Sequence, residues 1–291
     1  MSPRPRQARQ RRVRAPAGHP LIAAGAACAG GIGVTALLAR GFLRLQARSA
    51  RGTIGKPLGE EAHLADRTYK KKYGSPMELL LLGDSIAAGL GPTSLHMLGA
   101  QLAKRLAKRT RRSVRLHTAA IVGAETSMLR AQLAGLPAGY APDITVIVVG
   151  GNDATHRVKT STSTQQLSEV VGLLKQRGTH VIVGTCPDLG ALQALPQPLR
   201  TLARIASRQL ADAQRDAVTE LGAYAVSLAD VVGPFFIARP DQMFAIDRFH
   251  PSSDGYRRTA KAILPSILLA LGHETDLPYG HHPPAHITVV R

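Results

Sequence analysis

The chain has 291 residues, 44% of them hydrophobic, and a formal charge of +18 at pH 7. That size accommodates one large α/β domain with extensions. Its two cysteines, Cys28 and Cys186, are too few for a disulfide framework or a thiolate metal site.

The charge is unevenly spread. Residues 1–77 carry 15 Lys/Arg against 3 Asp/Glu, residues 78–272 carry 21 against 14, and residues 273–291 carry 1 against 2. A basic arm suits anionic lipid or nucleic acid. Aromatics make up only 4% of the chain, which leaves the basic residues without a stacking platform and argues against nucleic acid. Residues 1–20, rich in Arg and Pro, read as a disordered arm. Residues 21–39 are an uncharged run of small and aliphatic side chains bracketed by arginines. They have the length of one membrane crossing and are expected to form a transmembrane or signal-anchor segment, with a cleaved signal peptide as the alternative. Six arginines precede the run and four follow it, so the positive-inside rule favours a cytoplasmic N-terminus and an extracytoplasmic body, with secretion as the alternative, though the flanks alone do not fix orientation. Residues 40–76 are polar, end near Lys70-Lys71-Lys72, and read as a linker.

In the body, 77–272, apolar runs alternate with helical patterns. Strands are expected at Met77–Leu82, Val114–Ala119, Ile144–Val149, Val181–Thr185 and Tyr224–Val226. Helices are expected at Ser94–Arg109, Ser127–Leu133, Thr164–Arg177, Leu199–Leu221 and Ser253–Leu271. Leu95, Leu98, Leu102 and Leu106 have helical spacing, and Lys104, Arg105, Lys108 and Arg109 fall largely on the other side. Strict alternation predicts a parallel sheet with helices on both faces. The tail, 273–291, is rich in Pro and His and reads as mobile; His281, His282 and His286 lie in it.

Ligands of such sheets bind at the carboxyl ends of the strands. The first strand ends in Gly83-Asp84-Ser85 and the third in Gly150-Gly151-Asn152-Asp153. Ser85 is a candidate nucleophile, although a serine there is more often a helix cap. Among eleven histidines, His250 has a carboxylate, Asp247, at a spacing one turn can close. A histidine so held can accept a serine proton and later return it to a leaving alcohol. Gly123, after the second strand, can offer a bare backbone amide. With the Ser85 amide and the Asn152 side chain it makes three donors for an oxyanion. Asp254 is a weaker partner for His250 and fits a helix start better. Asp153 is expected to hold its loop, His156 to line the rim and Cys186 to be a small buried residue. Position 87 is alanine, so no Gly-x-Ser-x-Gly elbow surrounds Ser85.

At these residues the chain resembles the SGNH, or GDSL-type, hydrolases. The four blocks match in order: Ser85 in Gly83-Asp84-Ser85, Gly123, Asn152 in Gly150-Gly151-Asn152-Asp153, and His250 in Asp247-Arg248-Phe249-His250-Pro251. Ile86 replaces the usual leucine. The resemblance spans about residues 77–271 and looks like that to a membrane-associated or secreted actinobacterial member. It implies a flavodoxin-like three-layer α/β/α fold with a short parallel sheet. It also implies serine esterase chemistry without metal or cofactor, on an ester of a small molecule or lipid such as a lysophospholipid. Two other readings are an O-acetylesterase of cell-envelope carbohydrate and a non-enzymatic membrane-attached binding module.

Overall fold

A computed structural model describes residues 37–285 apart from 51, 54–56, 60 and 94. The chain divides into two compact units, Met1–Leu45 and Gln46–Arg291. What is described of the first is the start of a helix at residues 37–50. The expected arm at 1–20 and nearly all of the 21–39 segment lie outside the described residues. Among those described, no helix is long and apolar enough to cross a membrane.

The second unit is built on a seven-stranded sheet: β1 (Thr68–Tyr69), β2 (Pro76–Gly83), β3 (Ser113–Thr118), β4 (Ile144–Val148), β5 (His180–Gly184), β6 (Tyr224–Val226) and β7 (His281–His282), in the order β1-β3-β2-β4-β5-β6-β7. The five inner strands are parallel. Antiparallel β1 and β7 cover the two edges. The chain leaves β2 for β3 on one side and returns to place β4 on the other. A crevice therefore opens beyond the carboxyl ends of β2 and β4, where the winding reverses.

The β2 run Leu79-Leu80-Leu81-Leu82 shows why both faces must be covered. All four side chains are buried, and successive residues point to opposite faces. Leu79 and Leu81 join a core with Val114, Leu116, Val146 and Val148. Helix α2 (Leu98–Thr110) contributes Leu98, Leu102 and Leu106 to it, and α10 (Ser253–Ala270) contributes Tyr256, Ile263 and Ile267. Leu80 and Leu82 join a second core with Ile147, Val181 and Val183, covered by α3 (Leu129–Ala134), α5 (Thr160–Gln176) and α6 (Leu199–Glu220). The result is a three-layer α/β/α unit. Short helices α1 (Ser85–Ala88), α4 (Gly151–His156), α7 (Leu228–Val231), α8 (Gly233–Ala238) and α9 (Pro240–Met243) complete it.

Three expectations are corrected. The tail is not wholly mobile: His281 and His282 form β7, fixed by Ser266 Oγ at 2.9 Å from His281 Nδ1 and Ser227 Oγ at 3.0 Å from His282 Nε2. The linker is partly structured, because Thr68 and Tyr69 pair with Arg115 and Val114 of β3. Leu95 lies outside α2 and is exposed, so the apolar stripe of that helix begins at Leu98.

Candidate active site

Three strand ends and one loop build the rim. Gly83 has φ +129°, and a Cβ there would lie 1.9 Å from the Val148 carbonyl oxygen; only glycine fits so near the neighbouring strand. The Asp84 amide still donates to that same carbonyl at 3.0 Å. Asp84, not Ser85, then caps α1: its Oδ1 accepts from the Ile86 amide at 2.9 Å. Ser85 is therefore the first helical residue and not the cap, with an amide that has no intrahelical acceptor. Gly89, at φ +84°, ends α1 by donating to the Ser85 carbonyl at 2.9 Å.

Asp247 and His250 sit on a loop closed by the Phe244–Pro251 bridge and by the Ala245 amide donating to the His250 carbonyl at 2.8 Å. Arg248 occupies the left-handed region at φ 54°, a strained state for a non-glycine residue. In that loop both following amides reach one acceptor: Phe249 and His250 N–H each donate to Asp247 Oδ1 at 3.0 Å. Asp247 Oδ2 lies 2.5 Å from His250 Nδ1, and His250 Nε2 lies 3.0 Å from Ser85 Oγ.

Burial would raise the Asp247 carboxyl, but the hydrogen bonds from the His250 ring and from the Phe249 and His250 amides together hold it below the usual carboxylate range. An ionised carboxylate only accepts, so Nδ1 carries the imidazole proton and Nε2 presents a lone pair to the Ser85 hydroxyl. Asp254 is turned away from this chain of contacts. It follows the true N-cap, Ser252, and pairs with Arg257 at 2.8 Å.

The Asn152 side is fastened to the loop after β3. Gly123, at φ +80°, lies in a turn closed by the Ala124 amide and the Ile121 carbonyl at 3.1 Å; a Cβ on it would touch nothing within 4 Å. Asn152 Nδ2 donates to the Ala124 carbonyl at 2.9 Å. One residue on, buried Asp153 accepts from the Thr126 amide at 3.0 Å. At the far end of α4, His156 Nδ1 meets Glu125 Oε1 at 2.7 Å. Three α4 side chains thus hold the segment that carries Gly123.

Sequence reasoning missed the residues that hold this rim from beneath. Gln132 of α3, buried, accepts from the Gly83 amide at 2.9 Å and donates to the Gly83 carbonyl at 2.8 Å. Gln214 of α6, also buried, accepts from the Cys186 amide at 2.7 Å and donates to the Val149 carbonyl at 3.2 Å. Tyr256 of α10 donates to the Leu90 carbonyl at 2.9 Å and so ties the helix after His250 to the segment after Ser85. A lone glutamine or tyrosine in a helical pattern carries no signal of such a bond. Cys186 is fully buried, and that burial pushes its thiol well up, as its reading as a small core residue requires.

Beside Ser85 and His250 opens a cleft of about 760 Å³, counting space open to solvent. Its walls include Leu189, Leu192, Val232, Phe236, Phe244 and Phe249. Among the described residues, no group of three or more His, Cys, Asp or Glu is placed to hold a metal ion.

The GDSL-like lipase/acylhydrolase family model matches residues 81–258, a span that takes in Ser85, Gly123, Asn152, Asp247 and His250. The chain belongs to that family. It is 38% identical over 264 residues to the GDSL-like esterase Rv1075c of Mycobacterium tuberculosis, covering 86% of this chain and 83% of the relative. Among solved structures, TesA aligns with a TM-score of 0.54 at 24% identity, over 67% of this chain and 99% of that one. An acetylxylan esterase from Geobacillus stearothermophilus aligns with a TM-score of 0.51 at 20% identity, over 70% of this chain and 97% of that one. At that identity the two structures support the fold alone. Family and relative together make this protein a serine ester hydrolase of the SGNH type.

Proposed function

We propose that Ser85 is the nucleophile, His250 its base and Asp247 the orienting acid, and that the substrate is an ester with an apolar acyl chain. The observation that carries this reading is the unbroken path from Asp247 Oδ2 to His250 Nδ1 at 2.5 Å and from His250 Nε2 to Ser85 Oγ at 3.0 Å. Ser85 Oγ attacks the ester carbonyl as its proton passes to His250 Nε2. The Ser85 and Gly123 amides and Asn152 Nδ2 donate to the oxyanion that forms. Collapse breaks the C–O bond, and His250 returns the proton to the departing alcohol. Water, deprotonated by His250, then attacks the acyl-serine and releases the acid.

The walls of the cleft select the acyl group. Each methylene buried there contributes about 0.8 kcal/mol, or roughly fourfold in kcat/KM. A single-chain lipid ester such as a lysophospholipid presents one acyl chain and a polar head, which suits a cleft walled by aliphatic and aromatic side chains. The uncharged run at 21–39, flanked by arginines, supports a body held at a membrane outside the cytoplasm; full chain and a form lacking residues 1–40 should then fractionate differently. A series of p-nitrophenyl esters from acetate to decanoate tests the substrate class. Rates should climb with chain length until the cleft is filled, and Ser85→Ala should abolish them. Best activity on acetate, or release of acetate from acetylated glycan alone, would make the protein an O-acetylesterase instead. Undiminished hydrolysis by Ser85→Ala would remove the nucleophile assignment.

A further inference from the structure

A second concave site lies between β1 and α2, and it shares no lining residue with the cleft at Ser85. We propose that it binds a phosphoryl-type oligoanion, carried on a lipid headgroup or free in solution. The groove spans about 1090 Å³, counting open space, and among the described residues its lining includes Arg67, Lys70, Lys104, Arg105 and Lys108 but no acidic residue.

Among the described residues outside the groove, seven arginines make ion pairs, while others, such as Arg177 and Arg239, make none. Arg115 meets Glu78 at 2.9 Å, Arg208 meets Asp188 and Asp230 at 3.0 Å each, and Arg257 meets Asp254 at 2.8 Å. Among the described residues, no ion pair joins any of the five groove cations to a carboxylate. Arg105 shows what is missing. Among the described residues its buried Nε has no hydrogen-bond partner, and its Nη2 reaches Gln101 Oε1 alone, at a long 3.5 Å. A buried donor left unmade is costly, the more so when it is charged. Lys104 Nζ uses one donor on the Leu95 carbonyl at 3.0 Å and keeps others for a ligand. Burial, then the nearby charges of Arg67 and Lys70, hold the Lys104 ammonium below its usual value; burial and Arg257 do the same for Arg105. A ligand of two or more negative charges relieves that crowding.

Guanidinium forks match the oxygens of a phosphoryl group, and lysines add point charges around it. Tyr69, the aromatic in the lining, is buried under Arg67, whose guanidinium carbon lies 4.8 Å from the ring centroid. It offers no open face for a base to stack on, which disfavours nucleic acid.

Lysine footprinting of the full chain tests the site without using esterase activity. The protein is labelled with an amine-acylating reagent in the presence of inorganic tripolyphosphate, of phosphatidylglycerol vesicles, or of phosphatidylcholine vesicles. Lys70, Lys104 and Lys108 should be protected by an anionic ligand, while Lys159, Lys175 and Lys261 are not. Protection should vanish near 1 M salt, where the screening length is about 3 Å. Protection by tripolyphosphate identifies a free oligoanion as sufficient; protection by phosphatidylglycerol vesicles alone identifies a bilayer headgroup. The double variant Arg67→Gln/Lys108→Gln should need at least about tenfold more ligand, the loss expected from even one of the two charge-assisted contacts it removes. Its melting temperature separates lost binding from lost fold. Absence of protection in every arm overturns the proposal. So does equal protection of all six lysines, or unchanged protection in the double variant.

Discussion

Around Ser85 the polar groups of the rim are tied to one another. Asp247 takes three hydrogen bonds, the Gly83 peptide is held on both sides by Gln132, and Asn152 and Asp153 grip the loop of Gly123. Around Lys104 the cations line one groove, and among the described residues Arg105 Nε has no hydrogen-bond partner. The first arrangement stores geometry, so that little reorganisation is left for the moment of reaction. The second stores unsatisfied charge, which only an incoming anion can settle. Variants at the rim should therefore damage turnover or folding, and variants in the groove should damage binding alone.

The largest effect should come from the carboxylate behind the base. Asp247→Asn keeps an oxygen to accept from the Phe249 and His250 amides but places its own amide nitrogen, a donor, against His250 Nδ1. Turnover should fall on the order of 10⁴-fold, since an imidazole in the wrong tautomer cannot accept the serine proton. A loss under tenfold would mean that the tie seen between Asp247 and His250 does not act in the reaction. Asn152→Ala comes next. It removes one oxyanion donor, for which a loss of about 10²–10³-fold in kcat is expected, with KM for a p-nitrophenyl ester nearly unchanged. A rise in KM at constant kcat would move Asn152 from the oxyanion to ground-state binding.

Gln132→Met tests whether the rim is held from beneath. The Gly83 amide would be left buried without an acceptor, at a cost of about 1–3 kcal/mol. The midpoint of urea unfolding should drop accordingly, with no change in slope. An unchanged midpoint would show that the strand end holds its shape without the glutamine.

What could be read in the sequence follows the same division. Fully buried strands announce themselves, so β2 and β4 and the Gly83-Asp84-Ser85 and Gly150-Gly151-Asn152-Asp153 ends were legible. The residues that meet at Ser85 were legible through their types and order, and the structure brings Ser85, Asp247 and His250 into contact. Edge strands of two residues, β1 and β7, are too short to show a period. The short helices between 228 and 243, which supply Phe236 to the cleft, lack a full amphipathic stripe. Gln132 and Gln214 read as ordinary polar helix residues because their bonding partners are backbone atoms 49 and 65 or fewer residues away. Lys104 and Lys108 read as a solvated helix face, and only the arrival of β1 alongside turns that face into a groove.

The last effect, read only as a change of stability with pH, belongs to Asp84. Burial raises its carboxyl to about 7; the Ile86 amide and His250 pull against that, and Asp153 adds to it. The unfolded chain has an ordinary aspartate near 3.8. Between these two values the folded state holds a proton that the unfolded state has released, so folding loses stability as pH rises through that window. Asp84→Asn keeps an oxygen for the Ile86 amide and carries no charge to bury. The variant should therefore gain melting temperature relative to the parent as pH goes from 4 to 8, with the two curves running parallel above that. A difference constant with pH would mean that Asp84 is ionised throughout. The buried carboxylate would then have found compensation at the rim, and Asp84 would rank with the paired groups around Ser85 rather than with the unsatisfied charge beside Lys104.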